Sequence, residues 1–246
     1  MKMVSYRVLG QSVPRVDGVD KVTGRAKYTA DINLPGSLWG KSLRSPYSHA
    51  KIHRIDVTAA QSLPGVHAIL TGDDVRGVLY GRRLRDIPVL AWDHVRFAGE
   101  RVAAVAADDE DIAQAALDLI EIEYEELPKQ LNPLDSMQDE AELIHPNMME
   151  YEGFLVKPEK PSNVFVHNVW GKGDIEEGFL GADVVIENTF TTPRQHQAYL
   201  ESHTCLVWID EDLKIQIWAS NKSPYSLRQQ LSDATGIPIE RFQVNF

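Results

Sequence analysis

ERVAAVAADDEDIAQAALDLIEIEYEELP, residues 100–128, changes its hydrophobic period twice, and the two changes decide the fold class. Arg101 to Ala107 is a small-residue strand. Asp108 or Asp109 then caps a helix in which Ile112, Ala115, Ala116 and Leu119 recur at i, i+3, i+4 and i+7, the spacing of one helical face. Beyond it Ile120, Ile122 and Tyr124 alternate as the next strand. The acidic run Ala107 to Ile112 lies in the first helical turn, where carboxylates oppose the positive end of the helix dipole. A metal site is the sharper reading of those acids, but capping alone accounts for them.

A second unit of the same kind lies upstream. HAKIHRIDVTAAQSLPGVHAILTGDDV, residues 49–75, reads as a strand from Ile52 to Val57, a short helix from Thr58 to Leu63, a Pro64-Gly65 turn and a strand from Val66 to Leu70. Residues up to about 127 therefore form one compact mixture of strands and helices. Residues 128–163 carry five prolines and no sustained period, the texture of a long connection. Strands return from Val164. Gly173 to Phe179 reads as a short helix or turn, residues 182–193 as a long strand, and residues 204–220 as a hairpin turning at Glu211-Asp212. Pro224 opens a helix carrying Leu227 and Leu231, which Gly236 and Pro238 close, and Arg241 to Phe246 alternates as a further strand. A strand there needs a neighbour beyond it, so the expectation is either completion by another chain or a domain cut short.

Composition narrows the function classes. The 246 residues are 43% hydrophobic, enough for one large core or two modest ones. Net charge is −11, from 36 acidic and 25 basic residues, so no basic surplus exists to neutralise nucleic acid or an anionic membrane. One cysteine, Cys205, excludes an internal disulfide and suits a reducing cytoplasm. No apolar run reaches the roughly 20 residues of a membrane span, and residues 1–18 lack the apolar core of a secretory signal.

Chemistry-bearing residues are sparse. QHQAYLESHTC, residues 195–205, places His196, Glu201, His203 and Cys205 close in sequence, all possible metal ligands. A structural zinc site needs four ligands, and no CxxC or HxxxH partner is present, so a buried histidine or an interface residue is the better reading. No GxSxG elbow or GxxxxGK[ST] loop occurs, and Cys205 has no activating context. No catalytic residue and no metal ligand is assigned.

Residues 20–75, which begin DKVTGRAKYTADINLPG, and residues 95–128 resemble the hammerhead domain that opens the molybdenum-binding large subunit of the xanthine dehydrogenase/aldehyde oxidase/carbon monoxide dehydrogenase family. HQAYLESHTCLVWID (196–210) and IWASNKSPYSLRQQLSDATGIP (217–238) are similar to the start of that subunit's molybdopterin-binding region. The resemblance implies an α+β fold: a hammerhead domain over 1–127, a connection over 128–163 and the first, incomplete part of a molybdopterin-binding domain over 164–246. In the family a GGGFGGK-like segment follows the strand corresponding to Arg241 to Phe246, and the general-base glutamate lies later still.

The resemblance also implies one cofactor-binding position. Where the family places Thr-Gln, this sequence has Asn221-Lys222, so Lys222 stands where a glutamine donates a hydrogen bond toward the molybdenum centre. A lysine there either assists an anionic cofactor or substrate, or extends its ammonium to solvent. Implied function is oxidative hydroxylation of an aldehyde, N-heterocycle or related substrate, by a split subunit that is inactive alone. Molybdopterin-bound molybdenum would be held only with a complementary chain, and electrons would leave through iron–sulfur and FAD partner subunits. The alternative is a non-catalytic binding or assembly module, or a truncated remnant.

Overall fold

The computed structural model describes residues 7–245. The first six residues of the stretch read for a targeting signal, and Phe246 at the end of the last expected strand, lie outside them. In chain order the helices are α1 (Gly18–Val22), α2 (Thr58–Gln61), α3 (Glu110–Asp118), α4 (Pro133–Ser136), α5 (Ile175–Leu180) and α6 (Pro224–Thr235). The strands are β1 (Trp39–Arg44), β2 (Ala50–Asp56), β3 (Val66–Thr71), β4 (Leu79–Tyr80), β5 (Ile87–Pro88), β6 (His94–Val95), β7 (Arg101–Ala107), β8 (Glu121–Glu126), β9 (Cys205–Ile209), β10 (Ile215–Ala219) and β11 (Phe242–Asn245). Among the described residues two units result, one from residues 38–199 and one from residues 200–245 with residues 7–37.

The 38–199 unit holds two antiparallel three-stranded sheets, β1–β7–β3 and β6–β2–β8, and a β4–β5 ribbon. Strand β7 serves two cores because alternate side chains leave opposite faces. Ala103, Val105 and Ala107 pack with Ala60 of α2 and with Ala113, Ala116 and Leu117 of α3. Val102 points into a second core with Ala50, Ala91 and Val95. Small side chains let the helices approach the sheet closely, and the fully buried Val102 and Val95 each contribute about 1.5–3 kcal/mol of apolar burial. Strand β8, EIEYEE, turns Ile122 and Tyr124 inward and its glutamates outward, the alternation of a sheet with one wet face.

The cap of α3 is Asp109, whose carboxylate accepts the Ile112 N–H at 2.8 Å, while Asp108 turns to His67 at 2.7 Å. The buried face differs from the expected one. Ala113, Ala116, Leu117 and Ile120 are buried, whereas Ala115 and Leu119 are exposed. In a helix this rich in alanine two stripes compete, and the one ending in Leu117 and Ile120 brings two large side chains to the sheet. At the Pro64-Gly65 turn, Gly65 has φ +88°, and a Cβ there would meet Ile112 at 2.8 Å.

Residues 128–163 are more ordered than their prolines suggest. Asn163 donates to the carbonyls of Ser136 and Glu142 and accepts the Ile144 N–H at 2.9 Å, tying three points of the segment together. Met148 is buried, and the Arg85 N–H donates to the Glu152 carbonyl at 2.9 Å. The expected strand at residues 182–193 is absent. That stretch has no ladder partner among the described residues, and Val184, Ile186 and Phe190 are largely exposed.

In the other unit, β9 and β10 form the expected hairpin, with Trp218 opposite Leu206. Asp210 closes its turn by accepting the N–H groups of Asp212 and Lys214, which forces Leu213 to φ +62°. Helix α6 then crosses over so that β11 lies parallel to β10, as parallel neighbours require. Gly236, at φ +69°, ends α6 in the left-handed conformation that favours glycine. Ile215, Ile217 and Phe242 form the core, with Leu231 of α6 packed on it. No helix among the described residues is long and apolar enough to cross a membrane.

Candidate functional site

The loop between β10 and α6 carries Lys222, and its shape is fixed by its neighbours. The Ser220 hydroxyl accepts the Thr204 N–H at 3.1 Å and donates to the Ser202 carbonyl at 3.0 Å, anchoring the end of β10 to the chain entering β9. Asn221 folds back so that its side-chain oxygen accepts the Ser223 N–H at 2.6 Å. Pro224 follows at the first helical position, where its missing N–H costs nothing. Lys222 sits on this turn, exposed, with no hydrogen bond or ion pair among the described residues.

The first turn of α6 has no side-chain cap, since Ser223 does not bond back. An unshared ammonium beside the amino end of a 12-residue helix is a donor set suited to an anion and unsuited to a cation. That chemistry fits the anionic pterin and oxygen-rich environment of a molybdopterin cofactor. A nearby hollow of about 270 Å³ runs along α6 and β11, lined by Lys214, Tyr225, Arg228 and Glu240, and Lys222 is not part of its lining.

The residues around 196–205 do not converge on a metal. His196 accepts the Ala198 N–H at 2.9 Å and packs against the Tyr199 ring, Cys205 is exposed on β9, and among the described residues no group of three His, Cys, Asp or Glu is arranged around a metal position. Sequence reasoning missed a different cluster. Residues Leu84, Asp86, Ile144, His145, Met148 and Tyr151, far apart in sequence, surround a cavity of about 330 Å³ between the β4–β5 region and the connecting segment. The only local signal for it is the placing of His145 and Tyr151 on either side of the Met148–Glu150 turn.

Comparison with known proteins agrees with this architecture. Residues 23–128 match the family described as aldehyde oxidase and xanthine dehydrogenase, a/b hammerhead domain, and residues 156–246 match the molybdopterin cofactor-binding domain. The chain is 36% identical over 231 residues to a probable xanthine dehydrogenase component of Bacillus subtilis, a match covering 94% of this chain and 29% of that one. It is 29% identical to the nicotinate dehydrogenase large molybdopterin subunit of Eubacterium barkeri, covering 97% of this chain and 53% of that one. In structure it is similar to the reconstituted CO dehydrogenase from Oligotropha carboxidovorans, with a TM-score of 0.80 and 30% identity, over 96% of this chain and 30% of the other. With two of these three relatives it spans about three tenths of their length. The two domain matches and these relatives place the chain in the xanthine dehydrogenase/aldehyde oxidase/carbon monoxide dehydrogenase family, where it is similar to the amino-terminal portion of the molybdopterin-binding large subunits.

Proposed function

We propose that the chain works as one part of a molybdenum hydroxylase, oxidising an aldehyde, N-heterocycle or related carbon centre, and that it is inactive without a complementary molybdopterin-binding chain. The observation that carries this reading is the pairing of two domains in one chain: a hammerhead match over residues 23–128 is followed by a molybdopterin cofactor-binding match over residues 156–246. On this reading residues 1–127 are the hammerhead domain, 128–163 the connection and 164–246 the partial cofactor domain, in the cytoplasm. Iron–sulfur and FAD groups reside on partner subunits.

When bound, molybdopterin-held molybdenum supplies the two-electron oxidation of the substrate carbon. The contribution of this chain is positional. Asn221 fixes the turn, Pro224 starts α6, and Lys222 offers its ammonium to the anionic side of the cofactor in place of an amide. The test is co-purification followed by molybdenum analysis. Molybdenum should be retained, and an aldehyde or N-heterocycle turned over, only with a complementary chain present. Stoichiometric metal and turnover in this chain alone would overturn the split-subunit reading. Lys222→Gln should preserve activity of the complete assembly better than Lys222→Ala; equal activity of the two would remove Lys222 from the cofactor site.

A further inference from the structure

We propose that the cavity between Leu84–Asp86 and the connecting segment binds a small organic cation, an ammonium group carried on an aromatic body. Its volume, about 330 Å³, lies at the lower end of the range for small-molecule pockets. Leu84, Ile144, Met148 and Phe165 supply apolar wall, and among the polar residues that share the lining Asp86 is the one carboxylate. That carboxylate is half-buried, and its own backbone N–H is the hydrogen-bond donor acting on it. Tyr151 and Phe165 provide aromatic faces to which a cation is attracted.

The surrounding charges select the sign of the ligand. Asp86, Asp93 and Glu150 act on the Tyr151 hydroxyl against a single guanidinium, that of Arg96. Burial raises the pKa of the Asp86 carboxyl, and its own backbone N–H first and Arg96 second offset this only in part. His145 supplies no positive charge, because burial and Arg96 hold its pKa down to about 4. Nor does Arg96 satisfy its surroundings fully: its Nε and one oxygen of Asp93 are buried without hydrogen-bond partners. Arg82 and Arg83 line the adjoining hollow of about 340 Å³, but both are exposed, where water and salt screen them. A cation beside Asp86 would restore the missing balance. An anion there would face the same carboxylates, with only neutral amide and hydroxyl donors in the lining to oppose them.

Isothermal titration of the full chain at pH 7.5 with 2-phenylethylamine, a cation at that pH, tests the proposal against 2-phenylethanol, its neutral isostere. The amine should bind at least tenfold more tightly than the alcohol. Asp86→Asn, which keeps the side-chain shape, should erase that preference while circular dichroism shows an unchanged fold. Phe165→Ala, at an exposed position, should weaken the amine several-fold. Absence of amine binding, equal binding of amine and alcohol, or a preference surviving Asp86→Asn would each overturn the site.

Discussion

Nδ1 of His145 lies 2.9 Å from the Tyr151 hydroxyl, with the two rings edge to face at a centroid separation of 5.6 Å. The pair brackets the turn holding Met148, so it links the local shape of the connecting segment to a titrating group. Burial first, and Arg96 second, lower the His145 pKa to about 4, against about 6.5 in an unfolded chain. Between those values the unfolded state binds the extra proton. Stability from the neutral imidazole is therefore complete above about pH 6.5 and is lost as pH falls toward 4, on the order of 2 kcal/mol after allowing for partial exposure. Asp86 and Glu100, raised by burial, act in the opposite direction, so the contribution is read as a difference. Urea denaturation of wild type and His145→Gln at pH 7 and pH 4.5 should give a smaller pH effect in the variant. Equal pH dependence would show that the imidazole is not the group concerned.

Leu213 holds a left-handed backbone at φ +62°, which costs an L-residue with a Cβ about 1–2 kcal/mol. Its side chain is exposed, so little packing is lost on removal. Leu213→Gly should stabilise the chain by about 0.5–1 kcal/mol, once the greater freedom of glycine in the unfolded state is set against the relief. Thermal denaturation measures it, and a lowered midpoint would mean that the leucine makes contacts that outweigh the strain.

The cap of α3 gives a second stability test. Asp109→Ala removes the acceptor of the Ile112 N–H and should cost about 1 kcal/mol, whereas Asp109→Asn should retain most of it. Chemical denaturation of both variants separates capping from the dipole contribution of the charge. Equal losses would assign the effect to the charge.

Gly153 lies against the backbone of Arg83, where an added Cβ would come to 1.8 Å from a carbonyl oxygen, and its φ of +97° is itself unfavourable to other residues. Gly153→Ala should loosen the connecting segment from Leu84 and Arg85. In limited proteolysis the wild-type chain should be cut first within 164–200, where the backbone lacks ladder partners, and the variant should gain early cuts within 130–163. Early wild-type cleavage within 130–163 would contradict the tethering by Asn163 and Met148.

What could be read in advance follows from which interactions are local. Strand β7, the Asp109 cap, the 204–220 hairpin and the Gly236 stop of α6 are each encoded within a few residues, and each is found. The buried face of α3 is not local: with alanines on both stripes, the sheet chooses between them. The order in residues 128–163 rests on Asn163 reaching back to Ser136 and Glu142, a tether without periodicity. Residues 182–193 have the alternation of a strand, but alternation supplies side-chain pattern and not hydrogen-bond partners. Lys222 is placed by resemblance alone, and the His145–Tyr151–Asp86 cluster draws on side chains distant in sequence.

The pairing of β2 with β8 also constrains the order of events during synthesis. Strand β2 ends at Asp56 and its partner begins at Glu121, so the nascent chain carries β2 without that neighbour until roughly 65 further residues have been added, about 3–13 s at ordinary elongation rates. The central strand β7, on which both β1 and β3 depend, emerges only shortly before β8. Three strands therefore wait together in the cell with open edges, and the interval in which this chain most needs a chaperone is set by its topology rather than by the stability of the finished domain.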